Sequence, residues 1–294
     1  MLRNKRVLVL GGTGFLGSHF VKKFGAEANI HTTKNTGQVL VKNYQALRFQ
    51  KNQVEEIKTF LEKQNCGTVI NCTAMADIEK CEFDPALAYW VNSELPGLLA
   101  SISKSLDLKF VHISTDAVFD GSASFRTESE NPSPLSVYGK SKLSGEQLVL
   151  EGNPESIVAR VNFFGQSSNK TSLFNFFFEN LILGKSITGF TDVHFTTLYA
   201  NDTVNVIAKL LKLNESGLFH VVGDERISKF QFGLLVAKTF DLSTAHIKQS
   251  KLSGSEGALL RSLDLSLSNQ KIKALGIDLP TVQDGLSILK KNLK

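Results

Sequence analysis

The chain has 294 residues, 42% of them hydrophobic and 21% charged, and carries 33 Lys and Arg against 28 Asp and Glu for a formal net charge of +5. Such a chain can bury a sizeable core, and with 22 glycines and 6 prolines it falls outside the disordered, collagenous and low-complexity classes. No run reaches the roughly 20 apolar residues of a membrane span, and the first apolar stretch passes into glycines rather than a cleavage site, so the reading is a cytoplasmic protein with no signal peptide and no membrane partner.

The elements alternate from the start. A continuous apolar strand over 6–10 has the form of a parallel strand covered on both faces, and glycines end it at once. A helix over 14–23 and a short strand over 29–33 complete a β-α-β unit. The rhythm continues with a helix over 53–63, a strand over 68–71, a long helix over 86–106, a strand over 109–114, a helix over 138–150 and a strand over 156–161. Strands separated by helices imply right-handed crossovers and an α/β, doubly wound parallel sheet. The stretch 120–136, rich in Gly, Ser, Asn and Pro, reads as a long loop of the kind that borders an active site.

Further on, Phe174, Phe177, Phe178, Leu181 and Ile182 fall at i, i+3, i+4, i+7 and i+8, one apolar helical face best read as core packing, not as a stacking platform. A strand over 218–222 and helices over 229–240 and 284–291 complete a smaller C-terminal lobe. The expected division is a nucleotide-binding domain over 1–165, rejoined by about 195–215, and a lobe over 166–294.

The segment after the first strand satisfies both G-x-G-x-x-G (Gly12, Gly14, Gly17) and G-x-x-G-x-x-G (Gly11, Gly14, Gly17). Early glycines allow a tight turn and close approach to a pyrophosphate, Gly17 lets the helix pack on the sheet, and the helix N-terminus favours an anion. Following a strand and opening a helix, the motif predicts a Rossmann-type dinucleotide site. An NAD site places a carboxylate about 20 residues on, yet none lies between Ala28 and Val54, where His31, Thr32, Thr33, Lys34, Arg48 and Lys51 offer donors to a 2′-phosphate. The expectation is NADP(H) over NAD(H), with Thr33 and Lys34 as contacts; the alternative is a solvated polar loop.

Tyr138 and Lys142 stand at i and i+4, on one helical face. An ammonium beside a phenol would favour the phenolate and lower the tyrosine pKa toward neutrality. Upstream, a strand ends in Ser114-Thr115-Asp116, at the sheet edge where ligands of this fold bind. Cys66, Cys72 and Cys81 form no C-x-x-C pair and read as reduced thiols, without a metal site. The scattered lysines and the lack of any helix-turn-helix or zinc-finger signature favour a nucleotide ligand over nucleic acid.

In this order and at these separations, the glycine loop, the Ser114-Thr115-Asp116 strand end and the Tyr138/Lys142 pair resemble the extended short-chain dehydrogenase/reductase superfamily, and within it the dTDP-4-dehydrorhamnose reductase family. Val69-Ile70-Asn71-Cys72-Thr73-Ala74, the run 110–119, the run 134–146 and the late segment 261–267 support the resemblance. It implies NADPH-dependent reduction of the 4-keto group of a nucleotide-linked deoxysugar, in polysaccharide or nucleotide-sugar biosynthesis. By position, Thr115 would polarise the carbonyl, Tyr138 would deliver the proton, and Lys142 would bind the nicotinamide ribose.

The resemblance also places Gly11, Thr13, Gly14, Phe15, Leu16, Gly17, Asn71, Cys72, Thr73 and Ala74 on the cofactor, with Asn92 as support. Ser114, Asp116, Arg160 and Arg261 are substrate-side candidates, the two arginines as phosphate holders or, alternatively, as members of buried ion pairs. Three positions depart from the family pattern: Ala117 where an aromatic is common, Arg48 where an acid is, and Ser262 where a proline is. An epimerase of the same superfamily and a non-catalytic NADP-binding regulatory subunit, such as the beta subunit of methionine adenosyltransferase, remain alternatives, and a homodimer stays open.

Overall fold

The computed structural model describes residues 6–25, 54–63, 66–167, 172–253 and 262–293. The expected strand over 29–33, together with Thr33, Lys34, Arg48 and Arg261, lies outside the described residues. Two compact units divide the chain: Met1–Val118 with Ser136–Arg160 and Val204–Phe219, and Phe119–Leu135 with Val161–Thr203 and His220–Lys294.

The first half of the chain runs β1 (Arg6–Leu10), α1 (Phe15–Phe24), α2 (Val54–Lys63), β2 (Cys66–Asn71), α3 (Ile78–Phe83), α4 (Pro85–Tyr89), a π-helical turn (Trp90–Glu94), α5 (Leu95–Ser105), β3 (Lys109–Thr115), a 3-10 turn (Asp116–Val118), α6 (Val137–Gly152) and β4 (Ile157–Val161). The rest comprises β5 (Phe163–Phe164), α7 (Leu173–Ile182), β6 (Ile187–Phe190), β7 (His194–Thr196), β8 (Leu198–Tyr199), α8 (Ala200–Leu213), β9 (Gly217–Val221), β10 (Arg226–Ser228), α9 (Lys229–Thr239), β11 (Ile247–Ser250), β12 (Asp264–Leu265), α10 (Gln270–Lys273) and α11 (Val282–Asn292).

The fold is α/β with a central sheet ordered β1-β2-β3-β4-β9. β1 pairs in parallel with β2, Leu10 opposite Asn71, and β2 with β3, Asn71 opposite His112. All six residues of β2 are buried, as expected of a strand covered on both faces. Leu8, Leu10, Val69, Phe110 and Val158 of the sheet pack with Ile57 and Leu61 of α2 and with Leu95 and Leu99 of α5 into one core. No helix among the described residues is long and apolar enough to cross a membrane.

The long helix expected over 86–106 is two helices with a π turn between them. Pro96 explains the break: it has no N–H to give to the carbonyl four residues back, which belongs to Asn92. The Asn92 carbonyl lies instead against Gly145 of α6, where any Cβ would collide with it. A second helix that periodicity missed, α3, is started by Asp77, whose carboxylate accepts from the Lys80 N–H at 3.2 Å.

In the second unit α7, α9 and α11 surround an aromatic core that includes Phe164, Phe174, Phe177, Phe195 and Phe232. Of the five apolar positions expected on α7, Phe174, Phe177 and Leu181 are buried and Phe178 packs against them, but Ile182 is 56% exposed. At 100° per residue it stands about 80° from Phe174 and has rotated off the buried stripe.

Candidate active site

The glycine loop is shaped by backbone contact. Gly11 sits at φ +78°, and a Cβ there would come within 2.9 Å of the Cys72 and Thr73 backbone, so both the left-handed conformation and the close approach demand glycine. A Cβ on Gly17 would run into the Gly11 carbonyl. The Gly14 N–H donates to the Gly11 carbonyl at 2.9 Å, and Gly14 caps α1 with no side chain and no acidic residue in the first turn. The result is a cradle walled by bare backbone, closed on one side by the segment after β2, at the positive end of a ten-residue helix. These features fit a dinucleotide pyrophosphate. Leu16 turns its side chain into the core, so it would serve such a ligand through its backbone only.

The wall opposite is held from two directions. Asn71, fully buried at the end of β2, accepts from the Thr73 N–H at 3.1 Å and from the Thr73 hydroxyl at 2.5 Å. Asn92, fully buried in the π turn, accepts from the Met75 N–H at 2.9 Å and donates to the Met75 carbonyl and to Ser141 of α6, each at 3.0 Å. Ala74 lies between these two anchors with its side chain exposed.

At the end of β3, the Thr115 hydroxyl meets the Tyr138 phenol of α6 in a hydrogen bond, donates to Asp116 at 3.1 Å and accepts from the Ala117 N–H at 3.2 Å. Burial pushes the Tyr138 phenol up to about 12, partly offset by Thr115 and reinforced by Asp116 and Cys81. Lys142 is buried one turn along α6. Its Nζ donates to the Ile113 carbonyl at 2.6 Å and lies 3.1 Å from His112 Nε2. Burial brings Lys142 down to about 8, with Glu146 and Cys72 pulling the other way.

This arrangement corrects the expectation that Lys142 lowers the Tyr138 pKa. The i, i+4 spacing puts both residues on one face, but the lysine is long enough to reach the carbonyl edge of β3, and the phenol's neighbours are a hydroxyl, a carboxylate and a thiol. Burial also lifts the Cys72 thiol to about 12 and the Cys81 thiol to about 11, in keeping with unreactive free cysteines.

Two of the substrate-side candidates share a partner within the chain, Glu146. Arg160 is buried on β4, where Nη2 bonds Glu146 Oε2 at 2.7 Å and Nε bonds both carboxylate oxygens at 3.0 and 3.2 Å. Of the two readings given for Arg160, the buried ion pair is the one seen here. Ser114 donates to the same carboxylate at 2.5 Å, because alternation along β3 sends it to the face opposite Thr115.

A match to the family described as RmlD substrate binding domain covers residues 5–294. The chain belongs to this family. It is 28% identical over 297 residues, covering 96% of both proteins, to the probable low-salt glycan biosynthesis reductase Agl14 of Haloferax volcanii. It is 27% identical to methionine adenosyltransferase 2 subunit beta of Mus musculus, over 93% of this chain and 83% of that one. Among solved structures, dTDP-4-dehydrorhamnose reductase from Bacillus anthracis str. Ames in complex with NADP superimposes with a TM-score of 0.85 at 21% identity, covering 98% of this chain and 99% of that one.

Within this RmlD-family chain the first unit thus brings together Gly11, Gly14, Gly17, Asn71, Cys72, Thr73, Asn92, Thr115, Asp116, Tyr138 and Lys142. Thr13 and Phe15 border the loop, half-buried, the Phe15 ring 5.7 Å from that of His19. Of the departures from the family pattern, Ala117 follows Thr115 and Asp116, and Ser262 of the second unit donates to the Phe119 carbonyl at 3.0 Å. Two residues outside the sequence-based candidates are Glu146, which collects Arg160 and Ser114, and His112, which lies between Asn71 and Lys142 at 3.2 and 3.1 Å.

Proposed function

We propose that the chain is an NADPH-dependent oxidoreductase that reduces the 4-keto group of a nucleotide-linked deoxysugar. The observation that carries this reading is the Tyr138 phenol hydrogen-bonded to Thr115 at the end of β3, in the same unit as the glycine cradle. A phenol held up to about 12 keeps a proton to give, and Thr115 is placed to share a carbonyl oxygen with it. When bound, NADPH supplies the hydride that such a carbonyl carbon accepts.

The chain's own residues do the rest. The backbone of Gly11, Gly14 and the first turn of α1 receives the pyrophosphate, and Asn71, Asn92 and Thr73 keep the opposite wall in place. Tyr138 delivers the proton to the carbonyl oxygen, and Lys142 serves the ribose. Preference for the 2′-phosphorylated cofactor rests on the carboxylate-free stretch between Ala28 and Val54, with Thr33 and Lys34 as contacts. Sugar recognition falls to the lobe formed mainly by 166–294. The reductases among the relatives support the reading; the methionine adenosyltransferase subunits among them support a second one, a cofactor-binding regulatory subunit.

The test mixes purified protein and NADPH with a panel of nucleotide-linked 4-keto-6-deoxysugars and follows the reduced-nicotinamide absorbance, with NADH in parallel. Oxidation with one sugar is expected, and Tyr138→Phe should lower it by about 10²- to 10⁴-fold with an unchanged circular dichroism spectrum. Unchanged turnover in the folded variant removes Tyr138 from its role, and tight NADPH binding without oxidation of any sugar turns the case to the regulatory reading.

A further inference from the structure

The start of α6, the helix that carries Tyr138, is held from outside. The first N–H groups of a helix have no acceptor within it. In α6 the Gly139 N–H is met by the Ser136 hydroxyl at 3.2 Å, whereas the Val137 N–H donates at 2.8 Å to Glu82 Oε1 on α3, 55 residues earlier in the chain. The first turn of α6 has no acidic residue of its own, so Glu82 brings the carboxylate that the positive end of the helix attracts.

Two further observations give this contact a purpose. The chain reaches Ser136 from 119–135, which belongs to the second unit, so α6 opens with no preceding neighbour in its own unit and Glu82 supplies an anchor there. The same turn of α3 is also tied to the cofactor wall. The thiol of Cys81, beside Glu82 and wholly buried, donates at 3.2 Å to the Met75 carbonyl, which accepts from Asn92 as well at 3.0 Å. Two adjacent residues of α3 thus join Met75 on the wall to the residue that precedes Tyr138, and Cys81 lies near enough to act on the phenol itself.

We propose that Glu82 is a positioning residue: by holding the Val137 N–H it fixes the first turn of α6 against α3, and so sets the Tyr138 phenol in register with Thr115 and with the wall that receives the cofactor. The purpose rests on the reductase reading; the contact does not. Glu82 is exposed, and its bond adds little to stability because water offers both partners a substitute. Water can replace the energy of that bond, but not the place it gives the helix.

The experiment compares Glu82→Ala, which removes the acceptor, with Glu82→Gln, which removes the charge and keeps a carbonyl oxygen to accept. In the full chain, labelled on its four tyrosine rings and with Tyr138 assigned from Tyr138→Phe, NMR at neutral pH should show the Tyr138 signals displaced in Glu82→Ala and in place in Glu82→Gln. Unmoved signals in Glu82→Ala overturn the proposal, and so does an equal displacement in both variants, which would make the charge and not the bond the agent. This measurement needs no substrate, so it stands or falls apart from the reductase assignment, which fails by lack of turnover. Where turnover is found, Glu82→Ala should lower kcat by about 10- to 100-fold with the KM for NADPH unchanged, and Glu82→Gln should restore most of it. A lower melting temperature with kcat in place would make Glu82 merely structural and overturn the proposal.

Discussion

The two units bury different things. The interior of the first holds Lys142, Arg160, Glu146, His112, Asn71, Asn92 and Ser141, each almost wholly out of water. That of the second is built from rings: Phe164 and Phe232 meet at 5.4 Å and 68°, Phe195 and Phe177 close on Phe232 at 6.0 and 6.2 Å, and Gly233 and Gly285 bring helices into contact with the rings of Phe177 and Phe164. The second unit's charged pairs are wetter, Lys273–Asp224 being nearly half exposed on both sides. Burying charge costs stability unless every member is matched, so a unit accepts it where chemistry needs fixed dipoles and low dielectric. The ring-packed unit draws more of its stability from buried area and shape.

This contrast can be broken most severely at Glu146. Glu146→Leu strands the Arg160 guanidinium in the interior and should cost about 3–5 kcal/mol in urea unfolding; a loss below about 1 kcal/mol would mean that water reaches the pair. Phe232→Ala should cost the second unit about 3–4 kcal/mol through the cavity left among its neighbouring rings, with no change in salt or pH dependence.

Lys142→Met acts in the opposite direction. The unfolded chain holds the lysine's proton up to its ordinary 10.5 while the folded chain releases it near 8, so the cost of burial is full below about pH 8 and fades as pH rises to 10.5. The variant should therefore be about 2–3 kcal/mol more stable at pH 7, with the gain shrinking across that window in thermal melts. A gain independent of pH would show that the charge is not what burial opposes.

The smallest effect belongs to Asp192 in the second unit. Partial desolvation pushes its carboxyl up, but the N–H groups of Leu252 and Ser253 at 2.8 and 2.9 Å outweigh it and bring it to about 2. Its contribution is present above its ordinary 3.8 and is lost as pH falls toward 2. Asp192→Asn should cost about 1 kcal/mol at pH 6 and less at pH 3, measured by denaturant midpoint.

Much of the first unit was legible in residue order. The strand at 6–10, the glycine turn, the strand end at Ser114-Thr115 and the helix bearing Tyr138 are local patterns, and each is found where periodicity places it. Pro96 could have signalled the π turn, since a proline inside a helical stretch releases the carbonyl four residues earlier. Arg160 could not be resolved by any such rule. Its partner lies 14 residues away on another element, and an arginine in a phosphate site and one in an ion pair look alike in sequence.

Local stereochemistry is short-ranged, and so the sequence by itself determined where chain direction, turns and helical faces must fall: glycine at Gly11 because nothing else adopts φ +78° against the Cys72 backbone, and Tyr138 and Lys142 on one face because four residues make a turn. Only the tertiary structure decided which way the lysine turned, which carboxylate Arg160 found, and which nitrogen of His112 faces which neighbour. Those outcomes depend on donors and acceptors brought together from separate strands and helices, where burial leaves each polar group one set of partners and sequence spacing says nothing of them.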